Sequence, residues 1–322
     1  MVRSEWAIRA LSSAACLVAL LGSGRATPLA AASDPSRQPP VDDGSQPHPA
    51  YVFRGDTNTP DQIRAKGGIL PRSVVYPSSP GAYGIWNHAN AYVLDASTGR
   101  KETVYVSTTT DITVAHSFAT GDNGEHEGYI YYIHATPNMI EVGGTLLQYN
   151  PFPHEDEYSA LGGILWTQII GWIHLPANSR KLLIGERIGI RDPWYASRFE
   201  WNADYDSSFD QYRASGGQPQ LAGFFGSVEN RNQESPWSKY QPPDGFTTRM
   251  WTLEFMDQKG RAVGWRGHYP LFDPKTEARK SKRGEEGVEE EPDPRATLWG
   301  AEKEARKHGS VKRQPAWVSS IG

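Results

Sequence analysis

Turn-forming residues interrupt this sequence at such short intervals that few long helices or long strands can run through it. Glycine occurs 32 times and proline 24 times in 322 residues. Proline lacks a backbone donor and glycine weakens element interiors, so many short elements joined by turns are expected. Aromatic residues make up 11% of the chain, which gives short elements bulky side chains to bury. The lone cysteine, Cys16, excludes an internal disulfide framework and a cysteine-based zinc site, so packing must hold the fold. A formal net charge of -4 leaves no basic excess to drive nucleic-acid binding.

The chain divides by composition. Residues 1–32 read as a secretory signal peptide, because Arg3 and Arg9 lead into the apolar run Ala10–Leu21 and then small residues. That run falls short of the roughly 20 residues needed to cross a bilayer, so no membrane anchor is expected. Residues 33–49 are polar and proline-rich and read as a disordered linker or pro-region. A globular part over 50–245 is expected to be followed by an additional β-like extension over 246–274, with Met250–Phe255 strand-like. Residues 275–322 alternate basic and acidic blocks and read as a charged, largely disordered tail. The tail contains a candidate short helix, Ala296–Lys307, and the dibasic pairs Lys282-Arg283 and Lys312-Arg313, which are candidate maturation sites. Within the globular part, Val104–Ser107 and Gly128–Ala135 read as strands, and Asp61–Ala65 and Ile112–Phe118 as short helices. The apolar block Tyr158–Trp172 is expected to hold another strand near its centre.

Glu155 and Glu157 stand two residues apart. If that segment is extended, both side chains fall on one face, about 6–7 Å apart along the strand. Two carboxylates so placed suit cleavage of a glycosidic bond, one steadying an oxocarbenium-like centre while the other handles a proton or a nucleophile. Alone the pair is a weak signal, since surface strands carry Glu-x-Glu by chance. The nine histidines show no metal-binding spacing and no phosphate-cradling glycine loop is present, so no metal site is expected.

Several ordered blocks carry more weight than this pair. They are FRGD at Phe53–Asp56, PRS at Pro71–Ser73, Asn87-His88-Ala89, YVSTT at Tyr105–Thr109, YIYYIHATPNM at Tyr129–Met139 and PHEDEYSALGGI at Pro153–Ile164. Gly171-Trp172, RDPWY at Arg191–Tyr195, LAGF at Leu221–Phe224 and ESPW at Glu234–Trp237 extend the series. In this order they resemble the catalytic A subunits of the cholera toxin and heat-labile enterotoxin family of mono-ADP-ribosyltransferases. The resemblance implies an α+β ADP-ribosyltransferase-like fold, with two small packed β-sheets forming an NAD cleft and short helices at the periphery. It implies that NAD is a consumed substrate and that a host protein, a G protein being one candidate, accepts ADP-ribose on an arginine.

By the same resemblance Glu157 is the catalytic glutamate, Glu155 assists the acceptor guanidinium, and Ser107 holds the catalytic carboxylate. His88 matches a histidine of the active-site region, and Arg54 shapes the NAD site with Asp56 beside it. Asp156 is expected to face away from Glu155 and Glu157, and His116 and His134 to serve packing or hydrogen bonding. The sequence departs from the family where Gln241–Gly245 lacks the family's cysteine and no long threading helix follows. Both departures argue against disulfide linkage to an anchoring piece and against a binding-subunit pentamer. Two alternatives to an arginine-directed toxin remain at this stage. One is an NAD glycohydrolase, in which water replaces the acceptor; the other is a non-enzymatic secreted binding protein that uses its many Trp and Tyr as anchors.

Overall fold

A computed structural model describes residues 38–72, 77, 79–90, 102–121, 124–179, 186, 188–240 and 247–272. The expected signal segment, the charged tail with its dibasic pairs and candidate helix, and residues 241–246 lie outside the described residues.

The chain opens with β1 (Tyr51–Asp56), α1 (Pro60–Ala65) and β2 (Gly68–Ile69). Thr59 starts α1 as expected, its hydroxyl accepting from the Gln62 N–H while the Gln62 side chain accepts from the Thr59 N–H. Next come α2 (Ile85–Asn90), β3 (Tyr105–Thr109), α3 (Ile112–Thr120) and β4 (Gly128–His134). After β5 (Met139–Glu141) and α4 (Val142–Leu146) the chain forms β6 (Glu157–Leu161), β7 (Ile164–Leu165) and β8 (Ile169–Leu175). The described part closes with α5 (Pro193–Ala196), β9 (Phe199–Trp201) and α6 (Thr248–Lys259).

Strands β5-β6-β3-β1-β4-β8-β9 form one seven-stranded antiparallel sheet, and β2 and β7 form a two-stranded ribbon. The expected α+β class and two-sheet plan hold, with the sheets very unequal in size. The apolar block Tyr158–Trp172 yields parts of three strands, because Gly162 and Gly163 both take positive φ and turn the chain within it.

Alternation along β1 sends its neighbours to opposite faces. Val52 packs with Ile63, Ile69, Val106, Ile133 and Ile164 on the ribbon side. Phe53 packs with Ile112, Ala115 and Ala119 of α3 on the other. Helix α3 lies so close to the sheet that a Cβ on Gly55 would stand 2.0 Å from the Ala115 carbonyl oxygen and 2.6 Å from the Ala119 nitrogen. Glycine is required there because backbone meets backbone.

Two expectations need correction. Met250–Phe255 is not a strand: α6 runs through it, and Thr252, Leu253, Phe255 and Met256 are its buried residues. Positions 252/253 and 255/256 fall on one face of a helix, and Leu, Glu, Met, Gln and Lys favour that state. Leu253, Phe255, Met256, Tyr269 and Leu271 join Tyr83, Tyr105 and Leu161 in a single core cluster, so residues 247–272 share the core of the sheet's outer half.

The second correction concerns residues 38–49, which lie folded against the domain instead of disordered. The Asp42 carboxylate accepts from the Ala50 N–H at 2.6 Å and pairs with Arg213 at 2.9 Å. The Tyr132 hydroxyl donates to the Pro40 carbonyl, and Arg213 donates to the His48 carbonyl. Composition hides this because the partners lie up to 171 residues away.

Candidate active site

At the α3 side of the large sheet, β1, β3 and the start of β6 border a cavity of about 370 Å³, within the range of small-molecule sites. Arg54, His88, Ser107, Glu155 and Glu157 all line it, so five of the six expected site residues come together.

Glu157 is the first residue of β6 and pairs in register with Thr109 of β3. It is 8% exposed. His88 Nε2 approaches its Oε1 at 3.2 Å, and the Ser159 hydroxyl donates to the same oxygen at 2.9 Å. Burial pushes this carboxyl up, but hydrogen bonds from His88, Ser107 and Ser159, with the charge of His88, outweigh it and hold Glu157 below the ordinary glutamate value. Glu157 is therefore an ionised carboxylate at neutral pH. Ser107 sits opposite Ser159 in the β3–β6 register, and its Oγ lies 2.9 Å from His88 Nε2.

Glu155 reaches the cavity by a route the sequence did not suggest. It ends a 3-10 turn, Pro153–Glu155, and Asp156 adopts the left-handed conformation at φ 42°. The segment is thus not extended at Glu155, and same-face alternation does not apply. The turn, which Asp tolerates better than most residues, brings both glutamates to one cavity. The Thr109 hydroxyl donates to the Glu155 carbonyl at 2.6 Å and ties the turn to β3.

Arg54 projects from β1 and donates to the Ser107 carbonyl at 2.8 Å and to Asp56 at 3.1 Å. Asp56 is outside the cavity lining and acts on Arg54 instead. Burial raises the Asp56 carboxyl, yet Arg54 and two hydrogen bonds from Asn58 bring it below the ordinary aspartate value. The guanidinium is thereby splinted across β1 and β3 with further N–H groups remaining for a ligand. His116 and His134 are buried away from the cavity; His116 Nδ1 lies 2.9 Å from the Tyr195 hydroxyl, in keeping with a packing role.

Sequence reasoning missed Ser159, Arg72, Phe118 and Phe152. Ser159 was accessible to it, since a residue two along a strand from Glu157 shares its face. The other three line the cavity from separate elements, and no local pattern joins them. Among the described residues no three His, Cys, Asp or Glu side chains converge as a metal site, and no helix is long and apolar enough to cross a membrane.

Several known proteins are similar to this chain. The chain is 42% identical over 128 residues to heat-labile enterotoxin IIB, A chain, of Escherichia coli, covering 37% of this chain and 46% of that one. It is 34% identical over 202 residues to the NAD(+)--arginine ADP-ribosyltransferase Chelt of Vibrio cholerae, covering 61% and 31%. The heat-labile enterotoxin IIA, A chain, of Escherichia coli is 33% identical over 199 residues, covering 59% and 69%. The match thus spans less than half the length of the first two relatives and most of the third. A solved Escherichia coli heat-labile enterotoxin is 27% identical over 59% of this chain and 97% of its own, with a TM-score of 0.44. The model of the heat-labile enterotoxin alpha chain matches residues 45–257, a span that holds the whole cavity, and the chain belongs to that family.

Proposed function

We propose that this protein is a secreted mono-ADP-ribosyltransferase that transfers ADP-ribose from NAD to an arginine of a host protein and releases nicotinamide. The observation that carries this reading is a buried Glu157, its Oε1 met by His88 Nε2 and the Ser159 hydroxyl, on the wall of a cavity that also holds Arg54, Ser107 and Glu155.

Breaking the bond between nicotinamide and ribose develops positive charge on the sugar. A preorganised carboxylate beside it lowers that barrier, because its charge is in place before the reaction begins. His88 and Ser159 both meet Oε1 of Glu157, and we assign Oε2 to the ribose hydroxyl. Arg54 offers its remaining N–H groups to phosphate oxygens, for which a planar fork suits better than a point charge. An acceptor guanidinium is protonated at neutral pH and must lose a proton to attack. Glu155 takes that proton as the nitrogen bonds to the ribose carbon that nicotinamide leaves, so the products are ADP-ribosyl-arginine, nicotinamide and one proton.

Kinship with a protein named for arginine ADP-ribosylation supports this acceptor. The test is to incubate the protein with labelled NAD and agmatine, following label and nicotinamide together. Label on agmatine is the expected result. Nicotinamide release with no labelled guanidine would replace the transferase by a glycohydrolase, and neither product would overturn the reading.

A further inference from the structure

The ring of His88 hydrogen-bonds through both nitrogens, and the catalytic reading uses only one. Nε2 points to Ser107 and Glu157, while Nδ1 lies 2.8 Å from the hydroxyl of Thr103. Thr103 is 2% exposed and stands just ahead of β3, outside the cavity lining and outside every block of the family resemblance. Its Oγ1 also accepts from the Tyr105 N–H at 3.2 Å, which anchors the hydroxyl to the strand that carries Ser107.

We propose that Thr103 is a positioning residue that holds His88 with a proton on Nε2 directed at Ser107 and Glu157. The inference rests on the proposed role of Glu157 and on hydrogen-bond accounting. An ionised Glu157 can only accept. Oε1 of that carboxylate lies within reach of Nε2 and has no proton to give, and the Ser107 oxygen can accept as well. Nε2 therefore carries a proton, shared between Ser107 Oγ at 2.9 Å and Glu157 Oε1 at 3.2 Å. A flipped ring or a tautomer with a bare Nε2 would set a lone pair against a carboxylate inside a wall where both residues are more than nine-tenths buried. Thr103 excludes those states by giving Nδ1 a partner that only the observed ring orientation reaches. The ring also packs at 5.4 Å from Tyr105, whose hydroxyl is spent on the Tyr83 carbonyl and does not compete for either ring nitrogen. Fixing His88 in turn fixes Ser107 and the carboxylate, so the hydroxyl acts on catalysis without touching substrate.

Thr103→Val removes the hydroxyl at nearly constant shape, and Thr103→Ser keeps it. The valine variant is expected to lower kcat for nicotinamide release by on the order of tenfold or more while the KM for NAD changes by less than about twofold. The serine variant should recover most of that rate. A valine variant that folds and turns over like wild type would overturn the proposal. Nitrogen-15 NMR of the histidine-labelled wild-type protein supplies a second measurement that needs no variant and no turnover. A proton bonded to His88 Nε2 in slow exchange is expected, and a bare Nε2 with its proton on Nδ1 would refute the assignment even if the valine variant fails to fold. A wild-type protein that consumes no NAD would instead defeat the transferase reading, and the NMR result would still decide the role of Thr103.

Discussion

Oε1 of Glu157 lies 3.2 Å from Nε2 of His88, a contact between residues 69 positions apart in sequence and both nearly sealed from solvent. Isolated burial would push a glutamate toward its neutral form. Here the surrounding donors reverse that tendency, so the charge proposed for catalysis is set by the fold before any ligand arrives.

Replacing Glu157 with Gln keeps the shape and removes that charge. The rate of nicotinamide release should fall by on the order of a hundredfold or more, the scale of losing one preorganised electrostatic partner. Steady-state assay of nicotinamide checks this, and a variant with wild-type kcat would remove Glu157 from the chemistry.

Glu155 should separate transfer from bond cleavage. Glu155→Gln is expected to abolish most labelling of agmatine while nicotinamide release stays within about threefold of wild type, because only the guanidinium acceptor needs a carboxylate to take its proton. Parallel loss of both activities would show that Glu155 serves the first step as well.

Acid stability should report the same carboxylates. Glu157 and Asp56 both have folded-state values below their ordinary ones. A depressed folded value contributes stability above the unfolded pKa, and that contribution is lost as pH falls through the folded value. Unfolding midpoints in urea should therefore drop as pH is lowered from about 5 through 3, near and below the ordinary carboxyl range. Asp56→Asn should flatten part of that slope; an unchanged slope would mean Asp56 gains nothing from Arg54 and Asn58.

Gly55→Ala tests the seat of α3. A methyl group meeting the Ala115 carbonyl oxygen at 2.0 Å must push backbone away from backbone, so a loss of about 3 kcal/mol or more is expected from chemical denaturation. A cost below about 0.5 kcal/mol would mean that α3 is not clamped to β1 as described.

The segment over 38–49 should loosen locally when its ion pair is cut. Asp42 and Arg213 are both partly exposed, so Arg213→Ala should cost at most about 1 kcal/mol of global stability. Its clearer effect should be faster amide exchange and proteolysis within residues 38–49, read by mass spectrometry. Protection equal to wild type would show that the Tyr132 and Ala50 contacts suffice.

Much of the candidate site could be read from the chain because the residues that line the cavity together lie in short contiguous blocks. Arg54, His88, Ser107, Glu155 and Glu157 were each named from such a block, and α1, α3, β3 and β4 appear close to their expected limits. Local signals sufficed there: a capping threonine before proline, and runs of β-branched and aromatic residues bounded by glycine. The same local reading failed for Met250–Phe255, where one apolar pattern suits two periods, and for residues 38–49, where polarity masks specific distant partners.

What the amino-acid order determined by itself was the inventory: which groups carry charge, which segments alternate, and which lineage the blocks belong to. Only tertiary structure decided how those groups act on one another. The left-handed turn at Asp156, rather than strand alternation, brings Glu155 and Glu157 to one cavity, and Asp56 serves Arg54 instead of lining that cavity. Ser159 and Thr103 enter the network through side-chain contacts that no motif specified. The physical reason is distance: hydrogen bonds and carboxylate charge states depend on separations of about 3 Å between side chains, and those separations are set by strand register and packing between segments far apart in the chain.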